Sequence, residues 1–175
     1  YGLAGWIARP EEWDKFDLAW KAMLTKHHAP AFHAVEIVER DNIPDSRFKG
    51  WTFDQEKAIF IDAVDVVLDQ NHCDKLMAVG CSISVAKWHE WIESKDAVWV
   101  LLFCRLLDLL IHNLSGETNI SLMFDSKKEV REIVNAYYYN ALESVERIRS
   151  GQLAPVVGFG QDEKIRPLQA ADLFA

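Results

Sequence analysis

Short apolar runs alternate with longer segments of helical period along nearly the whole chain, and this alternation restricts its fold more than any other feature. The opening run "GLAGWIA" is apolar and rich in small residues, which reads as a core strand with close backbone neighbours. Pro10 then suits the first turn of a helix, with Glu11 and Glu12 placed to complement its dipole. Trp13, Phe16, Trp20 and Leu24 follow at spacings of three and four, forming one stripe that reads as core packing rather than a base-stacking platform. "HHAP" closes that helix. Further on, Thr52 and Gln55 have the spacing of a capping box, and Ile59, Phe60, Ala63, Val64 and Val67 predict the buried face of the helix they open.

The rest of the chain repeats the pattern. "KLMAVGCSISV" has strand character, and "AKWHEWIESK" reads as a short helical insertion with Trp88 and Trp91 on one side. "NISLMFD" is a strand ending in Asp125, followed by a long amphipathic helix that Gly151 closes. "APVVGFG" is the last strand, and Pro167 opens a terminal helix. Strands and helices in this order predict a layered α/β sheet with helices covering its faces. No internal repeat or low-complexity segment interrupts it.

Composition narrows the classes. A length of 175 residues fits one domain with a small insertion. The formal net charge of -8 argues against a protein that coats nucleic acid. It leaves room for a nuclease, because divalent cations offset clustered carboxylates. The longest apolar run, "AVWVLLFCRLLDLLI", carries Arg105 and Asp108 and falls short of the about 20 residues a membrane span needs. It reads as a helix buried on most sides, and no membrane association is expected. Cys73, Cys81 and Cys104 form no C-x-x-C pair and are odd in number, which suggests reduced thiols in the cytoplasm. A zinc set of His72, Cys73, Cys81 and His89 matches no common spacing. The chain starts abruptly at "YGLAGWIA" and stops inside a helical pattern, so both ends read as limits of a fragment.

Three places can carry chemistry. Asp125 ends a strand, and ligand sites in open α/β sheets lie outside strand carboxyl ends. It can equally cap the next helix, as can Ser126. Asp172 follows Leu168 by four residues, among Ala170, Ala171 and Leu173, where a carboxylate is expected to be paired, hydrogen-bonded or metal-bound. Arg166 or a lysine is the alternative partner, and Gln169 is a supporting polar group. His33 and Glu36 share a face only if "FHAVE" is helical. His27, His28, His72, His89 and His112 sit near helix ends or polar surfaces and receive no role. No P-loop, dinucleotide fingerprint or nucleophile elbow is present. What remains is acidic residues on separate elements, the way two-metal phosphoryl-transfer sites are built.

"LAGWIA" with its aromatic helix, "FHAVE", "FKGW", "LMFD" and the ending "PLQAADLFA" together resemble the bacterial and phage family numbered 3800 among domains of unknown function. The resemblance spans nearly the whole chain. It implies that residues 1–175 form one α/β domain with a ribonuclease-H-like central mixed sheet, helices on both faces and a small helical insertion. It also implies a metal-dependent nuclease or phosphodiesterase acting on nucleic acid, with Mg²⁺ or Mn²⁺ as cofactor. Asp125, Asp172 and Glu36 would be metal ligands, and His33 would join them in proton transfer or in orienting a phosphate. Where the family carries an acidic motif before the "LAGW" strand, this sequence has Tyr1 and Gly2. The alternative expectation is a non-catalytic binding or regulatory module of a phage- or mobile-element-related system.

Overall fold

A computed structural model describes residues 2–69, 76–84, 95–114, 120–144, 153–154, 156–161 and 163–173. The residues gather into two compact units, Gly5–Val79 with Asp162–Ala175, and Tyr1–Ala4 with Gly80–Gln161. The described residues make a mixed α/β architecture with six helices and two sheets of two strands each. The expected insertion helix over residues 86–95 lies, except for Lys95, outside the described residues, as does the turn at Gly151.

In chain order the elements are β1 (Gly2–Ile7), α1 (Pro10–Lys26), α2 (Ala34–Val38), α3 (Phe53–Leu68), β2 (Met77–Ser82), α4 (Lys95–Asn113), β3 (Met123–Asp125), α5 (Lys128–Ser144), β4 (Gly158–Gly160) and α6 (Arg166–Ala171). Strand β1 pairs with β2, and β3 with β4. Gly80 permits a close approach of the first pair, since a Cβ there would lie 3.3 Å from Ala4 Cβ. β1 was expected in the core, yet it is half-buried along most of its length.

The Gly5–Val79 and Asp162–Ala175 unit is built around aromatic residues of α1. Of the predicted stripe, Phe16, Trp20 and Leu24 are buried and Trp13 is half-buried against them; Met23, outside that stripe, is buried too, and they pack with Phe32, Ile37, Phe48, Ile59, Ala63 and Val67. Phe16 stacks on Trp20 at a centroid distance of 5.1 Å, and Trp20 meets Phe32 edge-on. Thr52 and Gln55 form the expected capping box at the start of α3. Of the face predicted for α3, Ile59, Ala63 and Val67 are buried and Phe60 is half-buried, but Val64 is exposed. The packed arc is narrower than the apolar content suggested, because α1 covers only one side of α3.

The other unit, Tyr1–Ala4 with Gly80–Gln161, centres on α4 and the β3–β4 pair. Val98, Leu102, Phe103, Leu106, Leu107, Leu110 and Ile111 of α4 are buried, while Leu101, Cys104 and Arg105 face solvent. Strands β3 and β4 run parallel, with Met123, Phe124 and Asp125 opposite Gly158, Phe159 and Gly160. A separate parallel bridge joins Ile120 to Leu153. Between that bridge and the Met123–Gly158 pair lie two residues on one side and four on the other, so the ladder is interrupted and β3 and β4 are each three residues long. Tyr138 of α5 is buried and its hydroxyl donates to Ala154 O. Helix α5 begins at Lys128, and Arg131 N donates to Lys127 O, so the capping position falls on Lys127 rather than Asp125 or Ser126.

Candidate functional site

Asp125 closes β3 at the carboxyl edge of the parallel pair, opposite Gly160. Ser126 N donates to Gly160 O at 2.9 Å, which turns the chain away from the sheet just after the carboxylate. The side chain is half-buried, and its Oδ2 lies 3.3 Å from Lys127 Nζ. Lys127 is largely exposed, so this ion pair is worth little and does not fix the carboxylate. The first turns of α5 follow with Lys128 and Arg131, and the Arg131 guanidinium lies 5.2 Å from the centroid of the Phe159 ring on β4. A carboxylate at a strand's carboxyl end thus lies beside Lys127 and just ahead of a 17-residue helix, in whose first turn Lys128 Nζ lies 3.8 Å from Glu132 Oε1.

His33 and Glu36 meet at the start of α2, in the other unit. His33 is the N-cap residue, and its Nδ1 accepts from Glu36 N at 3.4 Å. This assigns the ring a structural task at that nitrogen, and only the α2 helix makes the encounter possible. The Glu36 carboxylate turns instead toward Arg47. Oε1 accepts from Arg47 N at 2.6 Å, and Oε2 accepts from Arg47 Nε at 2.9 Å and from Nη2. Arg47 Nη1 also reaches Glu163 Oε1 at 3.1 Å. Burial works to raise the Glu36 pKa. The Arg47 side-chain and backbone hydrogen bonds and its charge, with a smaller effect of His33, outweigh burial and hold the carboxyl below its ordinary 4.5.

Asp172 lies at the C-cap of α6, because the helix stops at Ala171 instead of running on through the chain end. Its side chain is half-buried and Oδ2 is shut off from solvent. Its backbone N donates to Gln169 O at 3.2 Å. Arg166, the alternative partner expected for Asp172, pairs with both oxygens of Asp17 and so fastens α6 to α1. Gln169 is fully buried. Its Oε1 accepts from Trp20 Nε1 and from Phe32 N, both at 3.0 Å. Trp6 Nε1 donates to Ala170 O at 3.0 Å, tying β1 to the same helix. The "LQAAD" segment is thus a hub of core hydrogen bonds with a carboxylate at its end.

Several ionic groups were invisible in the sequence. Arg40 is buried and donates to Trp51 O, Ile37 O and Glu56 Oε2, closing the loop from α2 to α3. Asp62 on α3 accepts from Lys26 and lies 2.6 Å from His27 Nε2, so a histidine given no role joins α1 to α3. Gly50 of "FKGW" has a positive φ of 85°, a conformation that favours glycine. Arg47 gave no periodic signal, because it sits in an irregular connection eleven residues from Glu36.

Against known protein families, curated proteins and solved structures, the chain has no match. The candidate site therefore stands on its residues.

Magnesium and manganese take several oxygen ligands, most of them carboxylates or water. Among the described residues, no group of three or more His, Cys, Asp or Glu side chains is placed to hold a metal ion. Asp125 belongs to one unit and Glu36 and Asp172 to the other. Glu36 already spends both oxygens on Arg47. The described residues therefore do not by themselves furnish the ligand set expected for two ions. Of the zinc set weighed in the sequence, His72, Cys73 and His89 lie outside the described residues. Cys81 donates to Leu102 O at 3.2 Å, and burial, against a smaller opposing effect of Arg105, pushes its thiol pKa up. Among the described residues, no helix is long and apolar enough to cross a membrane.

Proposed function

We propose that the protein is a metal-dependent phosphodiesterase or nuclease of ribonuclease-H type, with Asp125 and Asp172 as its metal-binding carboxylates. The observation that carries this reading is Asp125 at the carboxyl edge of the β3–β4 pair, beside Lys127 and followed directly by the amino end of α5 with Lys128 and Arg131 in its first turns. A phosphate diester carries one negative charge per linkage, and a helix amino end with adjacent cations suits it. The family resemblance of "LMFD" and "PLQAADLFA" supports the same two aspartates. Mg²⁺ or Mn²⁺ would activate water and neutralise charge on the leaving oxygen. The chain's own residues contribute phosphate attraction through Lys127, Lys128 and Arg131. Glu36 holds Arg47, and His33 shapes the α2 start, so both act as positioning residues for their segment. The cysteines Cys81 and Cys104, both free, suit a reducing compartment such as the cytoplasm.

The test is cleavage of single- and double-stranded DNA and RNA with Mg²⁺ or Mn²⁺. Asp125→Asn and Asp172→Asn are each expected to lower the rate by about 100-fold or more, since even outer-shell partners of a metal are worth about 10–100-fold. Undiminished cleavage by both variants contradicts the proposal.

A second reading, a non-catalytic binding or regulatory module, is favoured by the engagement of Glu36 with Arg47. It predicts no change in thermal stability on adding either ion and no cleavage of any nucleic acid.

A further inference from the structure

In the unit that holds α4, α5 and the β3–β4 pair, cations mostly face carboxylates. Arg105 pairs with Asp108 at 2.7 Å, Lys127 with Asp125 at 3.3 Å, and Lys128 with Glu132 at 3.8 Å. Arg131 of α5 differs. Among the described residues it has no carboxylate partner, and its guanidinium carbon lies over the Phe159 ring, 5.2 Å from the centroid. The residue is exposed, so the ring orders the guanidinium without taking up its N–H donors.

The strand register fixes where this happens. Side chains alternate along a strand, and Phe124 and Phe159 stand opposite each other, so their rings share one face of the pair, 6.3 Å apart. On that face Phe124 is buried and meets Phe103, which in turn meets Tyr138 of α5. Phe159 is followed by Gly160, the partner of Asp125 in the ladder. The guanidinium is therefore held near the carboxyl edge of a parallel pair, on its α5 side, where ligands of α/β sheets bind.

We infer that Arg131 contacts a phosphate group of a nucleic-acid strand directly, with Phe159 as its positioning residue. The inference rests on the phosphodiesterase reading above and names the contact that holds the strand at that site. A guanidinium presents paired N–H donors that match two phosphate oxygens, and ordering it beforehand lowers the cost of binding. Lys127 and Lys128 must share any anion with the carboxylates they face, whereas Arg131 need not.

The contact requires no metal, so it is tested on the full chain in chelator, by fluorescence anisotropy with a short labelled single-stranded DNA. The native chain is expected to bind, and absence of binding overturns the inference. Arg131→Gln is expected to keep the circular dichroism spectrum and to weaken binding about tenfold, as for loss of a hydrogen bond to a charged group. It is also expected to lower the slope of log affinity against log salt by about 0.7, the share of one phosphate on a single strand. Unaltered affinity and slope overturn the assignment. Arg131→Lys keeps the charge without the planar fork and is expected to recover only part of the affinity. Phe159→Leu is expected to weaken binding severalfold, while Phe159→Tyr, which keeps a ring under the guanidinium, binds as the native chain does. Equal binding by the leucine and tyrosine variants overturns the positioning role. Asp125-dependent cleavage with an unchanged KM in Arg131→Gln sinks this inference alone. Arg131-dependent binding without any cleavage sinks the metal-dependent reading alone.

Discussion

Gln169 accepts hydrogen bonds from Trp20 Nε1 and Phe32 N in the middle of an aromatic core, so its amide oxygen satisfies two buried donors at once. Replacing it with leucine keeps the bulk and strands both donors. The expected loss is about 2–4 kcal/mol in denaturant unfolding, the cost of leaving buried polar groups without partners. Glu36 is the residue whose effect depends on pH. Its folded pKa lies below its ordinary 4.5, so its stabilisation is present above that value and is lost as pH falls through the lowered folded value. The stability difference between the native chain and Glu36→Gln is therefore expected to be full at neutral pH and to disappear in acid. A difference that persists at pH 2 contradicts the ion pair with Arg47. In the sequence, Gln169 was readable only as a polar helper beside Asp172. Its true partners are 149 and 137 residues away, and no local pattern encodes such a distance.

At the scale of elements, local signals were the most legible. The Thr52 and Gln55 box and the α1 stripe depend on neighbours within one helical turn, and both formed as read. Thr52→Ala is expected to cost about 1 kcal/mol, measured by thermal or denaturant unfolding. The strands were less legible. "NISLMFD" and "APVVGFG" locate β3 and β4, but their shared ladder is only three residues long, because the pairing is set by where the chain departs from register. The reach of α6 was also misjudged: the helix ends at Ala171, which makes Asp172 a C-terminal residue rather than a mid-helix one. A buried stripe can be inferred from periodicity, but how much of it is covered depends on the neighbouring element. Val64 illustrates this, being apolar at helical spacing and yet exposed.

For the whole molecule, the α/β class followed from alternation of runs, whereas the extent of the sheet did not. Two two-stranded sheets among the described residues are a coarser match than the central mixed sheet that the family resemblance implies. The site divides in the same way. Asp125 was legible because a strand's carboxyl end is marked by the end of an apolar run. Glu36 was legible as a polar residue on a helical face, but its capture by Arg47 was not, because that contact is made by an irregular loop. A chain of net charge -8 acting on a polyanion needs cations to offset that repulsion, so activity is expected to require divalent ion and to be lost in chelator.

The measurement that bears most directly on the central claim is calorimetric titration of Mn²⁺ into the full chain, the Asp125→Asn variant and the Asp172→Asn variant. Saturable binding by the native chain that is weakened in both variants is the predicted result. Binding that is absent in the native chain, or unaltered by both substitutions, would contradict it.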